Sequence, residues 1–189
     1  MQIFYYNYEI SNHFLDRKTQ FSDGSIVSKK DFQSLLSKTS SEVTMGNKLQ
    51  PMHLEVKGLD RQNVKMACEL LSNTVANLFR YFFPGKKALA DFIDLSDKAF
   101  NIMNAQTMEN SDFTRSAFGG ENLPEQLKIL ENFRDQILKT KFYGTPRFHT
   151  GLVTAITGII QLQATLQKDF NVVKLLTSHT TQESVQHFL

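Results

Sequence analysis

The stretch that decides the fold is LDRQNVKMACELLSNTVANLFRYFF, at residues 59–83. Its apolar residues recur at steps of three and four, which places them on one stripe of an α-helix. The stripe consists of Val64, Cys68, Leu71, Val75, Leu78 and Phe82. No proline or glycine interrupts the run, so the pattern predicts one long core helix. Short polar side chains are unfavourable in the middle of a helix because they compete for backbone hydrogen bonds, and a group of them here predicts a polar patch on this helix. They are Ser72, Asn73, Thr74 and Asn77.

The composition is that of a globular protein. The chain has 189 residues, of which 41% are hydrophobic and 21% charged, and its sixteen phenylalanines predict a Phe-rich core. The net charge of +2 supplies no chain-wide attraction for nucleic acid, so any DNA contact requires a local basic patch. Cys68 is the sole cysteine, which excludes a disulfide within the chain and a cysteine-rich zinc site.

No membrane segment is expected. The apolar runs are all shorter than the ~20 residues that a transmembrane helix needs. The N-terminus, MQIFYYNYEI, lacks the basic flank and the apolar stretch of a signal peptide. These features predict a soluble protein without a membrane partner.

The remaining elements are predicted from periodicity and capping signals. Periodic apolar residues predict further helices at 29–37, 42–49, 89–103, 123–140 and 151–167. The segment 170–178, FNVVKLLTS, is short, branched and apolar, which makes it the best strand candidate. Thr180 and Glu183 have the spacing of a capping box and predict the start of a last helix.

The middle of the chain resembles a known family. Residues 64–77, VKMACELLSNTVAN, are similar to the segment V-[KR]-L-A-A-Q-x-L-S-x-[ST]-V-A-x-A of P element-type DNA transposases, which include the THAP-domain transposase-like proteins. Upstream, Gly46-Asn47-Lys48-Leu49 and His53-Leu54-Glu55 resemble the family's G-N-K-L-x-x-x-H-[IL]-x-F. In that family, the segment lies in a helical GTP-binding insertion that splits an RNase H-like catalytic domain.

The resemblance implies a mainly α fold, in which a helical insertion domain is flanked by an incomplete RNase H-like α/β remnant. We expect the insertion at residues 40–147. The N-terminal part of the remnant is expected at 1–39 and its C-terminal part at 148–189, with one or two short strands.

The end of the chain departs from the family at a catalytic position. Residues 170–189 resemble F-K-Y-[IL]-L-T-x-[RK]-L-[NS]-Q-D-x-[LI]-E-x-[FL]-F, whose glutamate belongs to an Asp/Asp/Glu set that holds two Mg²⁺ ions. Gln186 stands at that position, and a neutral amide is a poor ligand for a hard cation. Glu183, one turn earlier, is explained by its capping-box spacing. Because the chain begins after the position of the family's D-x-P-H-L motif, we also expect the other two catalytic carboxylates to be missing. Mg²⁺ is expected to bind only if the protein is catalytically active.

The nucleotide site also departs from the family. Residues 99–105, AFNIMNA, resemble the family's motif W/F-F-D-x-x-N-S, whose aspartate is a guanine-recognising residue. Asn101 replaces that aspartate and accepts only through its carbonyl oxygen, so guanine selectivity is expected to weaken. The chain has no P-loop, and Lys48 is either a phosphate ligand or an ordinary surface lysine. The resemblance implies a weak GTP site that consists of Lys48, Asn101, Asn104 and Glu183.

The leading interpretation is a truncated P element-type transposase segment that is catalytically inactive and carries a degenerate GTP-binding insertion. Two alternatives stay open: a GTP- and DNA-binding module of a functional transposase, and a helical protein- or DNA-interaction module from a domesticated transposon. The resemblance implies an intracellular, nuclear protein that takes part in DNA transposition. Its implied partners are DNA, GTP, and a second copy or a larger transposase.

Overall fold

Eight α-helices make up most of the part of the chain that the structure, a computed structural model, describes; that part comprises residues 3–39, 49–144, 146 and 148–180. The helices are α1 (Ile3–Asp16), α2 (Lys29–Thr39), α3 (Pro51–Leu54), α4 (Val64–Leu70), α5 (Asn73–Phe82), α6 (Lys87–Met103), α7 (Leu123–Lys139) and α8 (Phe148–Phe170). This architecture confirms the prediction of a mainly α fold. Of the described helices, none is both long and apolar enough to cross a membrane.

The prediction of one continuous helix over residues 59–83 is wrong. A 3-10 helix at Gly58–Gln62 is followed by α4. The helical conformation is then interrupted at residues 71–72, before α5 begins. The break has a cap at Ser72, whose backbone is extended (φ −86°, ψ 155°) and whose Oγ accepts a hydrogen bond from the backbone N–H of Val75. A short hydroxyl side chain therefore starts a new helix here, because it satisfies a backbone donor that the first turn leaves unpaired.

The strands are short and pair non-locally. The described strands are β1 (Thr19–Gln20), β2 (Ile26–Val27), β3 (Phe118–Gly119), β4 (Lys141–Phe142) and β5 (Lys174–Leu175). Strand β1 pairs antiparallel with both β2 and β4, and β3 pairs antiparallel with β5. These five two-residue strands exceed the one or two that the sequence predicts.

The strand predicted at 170–178 is mostly absent. Helix α8 continues to Phe170, the next residue, Asn171, has a positive φ of 57°, and only Lys174–Leu175 forms a strand. Asparagine tolerates the left-handed conformation that terminates a helix, and this local signal outweighs the apolar character of the segment. Most of the helix predicted at 42–49 and most of the helix predicted to start at Thr180 lie outside the described residues.

Phenylalanine rings form the centre of the core. Phe92 of α6 is fully buried, and its ring lies 5.5 Å from that of Phe14 in α1 and 5.9 Å from that of Phe133 in α7. The ring of Phe142 lies 6.4 Å from Phe92 and 5.2 Å from Phe148, at the start of α8. All three proposed parts of the chain therefore contribute to one core, and the boundaries between them stay a prediction.

Candidate functional site

One face of α6 forms the floor of a small polar pocket. Asp97, Asn101 and Asn104 are spaced four and three residues apart, so they project from the same side of the helix. All three line a pocket of about 200 Å³. The rest of its lining comprises Asn7, Lys65, Cys68, Glu69, Leu71, Ser72, Phe100 and Arg115.

The break between α4 and α5 shapes the facing wall. Ser72 is buried at this break, and its hydroxyl donates a hydrogen bond of 2.8 Å to the backbone oxygen of Glu69. The last turn of α4 and the first turn of α5 are thereby fixed next to each other. Lys65, Cys68 and Glu69 of α4 line the pocket together with Ser72 at the break.

A buried histidine holds the carboxylate of Glu69. His53 is 3% exposed, and its Nδ1 accepts a hydrogen bond of 2.9 Å from the backbone N–H of Gln50. That bond places the ring proton on Nε2, which donates to Oε2 of Glu69 at 2.7 Å. This hydrogen bond anchors the α4 wall of the pocket to α3. The carboxylate of Glu69 in that wall is therefore already paired with His53.

The inner wall combines a neutral thiol with a buried amide. The side-chain N–H of Asn7 donates to the sulfur of Cys68 at 2.9 Å. Burial raises the pKa of the Cys68 thiol to about 11, and the negative charge of Asp97 adds to this effect, so the thiol stays protonated at neutral pH. Asn7 is 3% exposed, and its Oδ1 has no hydrogen-bond partner within the described part of the chain.

Comparison with known proteins identifies the family. A family model described as "TNP-like, GTP-binding insertion domain" matches residues 9–116, more than half of the chain. The chain belongs to this family. It is 27% identical over 188 residues to the Transposable element P transposase of Drosophila melanogaster, covering 95% of this chain and 25% of that protein. The chain therefore spans about a quarter of the length of this curated relative.

A solved structure extends the likeness to the fold. The Drosophila P element transposase strand transfer complex matches with a TM-score of 0.85 and 25% sequence identity. The match covers 98% of this chain and 44% of the solved chain. Together these relatives confirm the resemblance to P element-type transposases.

Two of the nucleotide-site residues expected from the family motif lie together in the pocket. Asn101 and Asn104 both line it, as their spacing on α6 requires. Lys48, Glu183 and Gln186 lie outside the described residues, so their roles stay predictions.

Sequence reasoning missed the four charged residues of the pocket, which are Lys65, Glu69, Asp97 and Arg115. The position of Asp97 was predictable from helical spacing, because it lies four residues before Asn101 and therefore on the same face of the helix. Lys65 belongs to the recognised segment but received no role. Arg115 follows a polar stretch that predicts only a loop, and its position depends on tertiary packing that spacing does not reveal.

A larger cleft lies elsewhere on the molecule. It has a volume of about 580 Å³ and is lined by one face of α1 and by the 3-10 helix at Gly58–Gln62. Neither Asn101 nor Asn104 lines it, and we therefore take the smaller pocket as the candidate site. Among the described residues, no group of three or more histidine, cysteine, aspartate or glutamate side chains is arranged to hold a metal ion.

Proposed function

We propose that the chain is a P element transposase-derived module that binds a purine nucleotide in the pocket between α4 and α6. The observation that carries this proposal is the meeting of Asn101 and Asn104 with two cationic side chains, Lys65 and Arg115, around one small pocket. Amide groups pair with the polar edges of a base, and cations pair with phosphate oxygens. The family's description as a GTP-binding insertion domain supports this assignment.

The dimensions of the pocket suit a base rather than a whole nucleotide. A volume of about 200 Å³ is smaller than the ~300–1,000 Å³ typical of sites that enclose a drug-sized ligand. Lys65 and Arg115 are both exposed, which leaves their charged groups accessible to phosphates outside the pocket. The Nε of Arg115 lies 3.7 Å from Oδ2 of Asp112. Because an exposed ion pair of this kind contributes little free energy, Arg115 can give it up for a contact with phosphate.

We further propose that the module does not cut or join DNA. The proposal rests on Gln186, because Mg²⁺ prefers carboxylate ligands and the side chain of glutamine is neutral. The module would then act through binding, with a transposase chain or DNA as its partner in the nucleus. The likeness to a transposase that was solved in a strand transfer complex supports these partners.

Isothermal titration with GTP tests the nucleotide proposal. We expect the wild-type protein to bind, and Asn104→Ala to weaken binding on the order of tenfold, because a polar group of the base loses its partner. Asn132→Ala, at an exposed position of α7 outside the pocket, is the matched control and should bind as the wild type does. The absence of binding, or equal effects of the two substitutions, would refute the proposed site.

A further inference from the structure

We propose that Asn7 of α1 contacts the ligand of this pocket: its side-chain oxygen accepts a hydrogen bond from an N–H group of the bound purine, and this bond ties α1 to the occupied pocket. The inference rests on the proposed nucleotide site. It adds a residue that no motif in the sequence indicates, and it gives binding a structural consequence, because α1 is held more firmly when the ligand is present.

The buried amide of Asn7 carries a cost that packing alone does not explain. The side chain is 3% exposed, and its Nδ2–H group donates to the sulfur of Cys68 at 2.9 Å. The Oδ1 atom has no hydrogen-bond partner among the described residues. Buried acceptors are nearly always paired, and an unpaired one destabilises the fold because it has lost its contact with water. An apolar side chain of the same shape would avoid this cost.

The polar neighbours of Asn7 in the pocket are poor donors for its oxygen. The hydroxyl of Ser72 already donates to the backbone oxygen of Glu69 at 2.8 Å. The thiol of Cys68 stays protonated because burial raises its pKa to about 11, but a thiol is a weak donor. A purine carries N–H groups on its polar edges, and these are stronger donors. The ligand therefore supplies what the inner wall of the pocket lacks.

Asn7 also connects two parts of the chain. It lies on α1, before residues 9–116 that match the GTP-binding insertion domain, whereas the other residues that line the pocket lie between positions 65 and 115. In the protein alone, the side chain of Asn7 is tied to α4 by a hydrogen bond to sulfur, which is a weak acceptor. A second hydrogen bond, from the ligand, strengthens this link. Binding should therefore suppress the local opening of α1.

Isothermal titration with GTP and thermal unfolding test the contact on Asn7→Leu. Leucine has the branched shape of asparagine without its polar atoms, so GTP binding should weaken on the order of tenfold. The Tm without nucleotide should stay equal to that of the wild type or rise, because the unpaired oxygen is removed. A residue that only supports the structure would lower the Tm together with the affinity.

Ser96→Ala is the matched control. Ser96 on α6 is fully buried, and its Oγ also has no hydrogen-bond partner among the described residues, but it does not line the pocket. This variant likewise removes a buried unpaired oxygen. It should bind GTP as the wild type does.

Hydrogen exchange followed by mass spectrometry tests the link to α1. In the wild type, GTP should slow the exchange of backbone amides in α1 and in α6. In Asn7→Leu, GTP added to the same fractional occupancy should slow exchange in α6 and leave α1 unchanged. Equal slowing of α1 in both proteins would show that Asn7 does not carry the link.

The possible results separate the inference from the function on which it rests. If Asn104→Ala weakens GTP binding but Asn7→Leu binds as the wild type does, Asn7 does not contact the ligand and the site itself stands. If the Tm of Asn7→Leu falls clearly, its oxygen already has a partner in the free protein and the inference is overturned. If the wild type does not bind GTP, both the site and the inference are overturned.

Discussion

The Nε2 of His53 lies 2.7 Å from Oε2 of Glu69, and this contact joins the short helix α3 to the wall of the candidate pocket. His53 is almost completely buried, whereas Glu69 is 27% exposed. The histidine also completes the N-terminal cap of α3 through the backbone N–H of Gln50. One ring therefore fixes both a helix start and the orientation of a carboxylate in the pocket.

Removing the carboxylate of Glu69 should destabilise the fold. Glu69→Ala leaves the buried Nε2–H of His53 without a partner, and we expect the free energy of unfolding to fall by about 1–3 kcal/mol. Glu69→Gln retains an oxygen that accepts the same hydrogen bond and should lose clearly less. Urea denaturation monitored by circular dichroism measures both values, and equal losses would show that the hydrogen bond to His53 contributes nothing.

The thiol of Cys68 should react slowly at neutral pH. Burial raises its pKa to about 11, and only the thiolate is nucleophilic, so alkylation by iodoacetamide should accelerate with pH up to that range. Asp97→Asn removes a negative charge that raises this pKa and should shift the profile to lower pH. Mass spectrometry of the alkylated protein gives the rates, and a plateau below about pH 9, near the ordinary pKa of a free thiol, would be incompatible with this environment.

Two glycines should respond to alanine in opposite directions. Gly119 has a φ of +127°, and an added Cβ would clash with the backbone oxygen of Val173, so Gly119→Ala should destabilise β3 and its pairing with β5. Gly158 lies inside α8 with open space around the position of a Cβ, and Gly158→Ala should stabilise the protein by about 0.5–1 kcal/mol. Thermal unfolding of the two variants measures both effects, and a loss at residue 158 would contradict the account.

The chain should not cleave or join DNA. Labelled plasmid or transposon-end DNA, incubated with the protein in Mg²⁺ or Mn²⁺, should stay intact because Gln186 supplies no negative charge for the metal. The informative control is Gln186→Ala. Cleavage by the wild type that disappears in this variant would show that residue 186 takes part in catalysis after all.

Periodicity in the sequence was sufficient for the regular helices and insufficient for the interruptions. The predicted ranges 89–103 and 123–140 correspond closely to Lys87–Met103 and Leu123–Lys139, because long amphipathic patterns are strong signals. The break at Ser72 was missed because a mid-helix serine and a capping serine look alike in an apolar periodic run. Capping depends on a backbone geometry that packing decides.

The candidate site was only partly predictable for a related reason. Asn101 and Asn104 come from one motif on one helix, and Asp97 follows from the same helical spacing. Asn7 belongs to α1, far away in sequence, and Arg115 to the segment after α6. Tertiary contacts bring these residues to the pocket, and no local pattern encodes such contacts.

The location of the nucleotide site is the central claim, and one measurement tests it most directly. The ¹⁵N-labelled protein is titrated with GTP, and the side-chain amide signals are followed by two-dimensional NMR. We predict that the largest shifts occur at Asn7, Asn101 and Asn104, which line the small pocket. Shifts confined to Asn12 and Gln62, which line the larger cleft instead, would contradict the account.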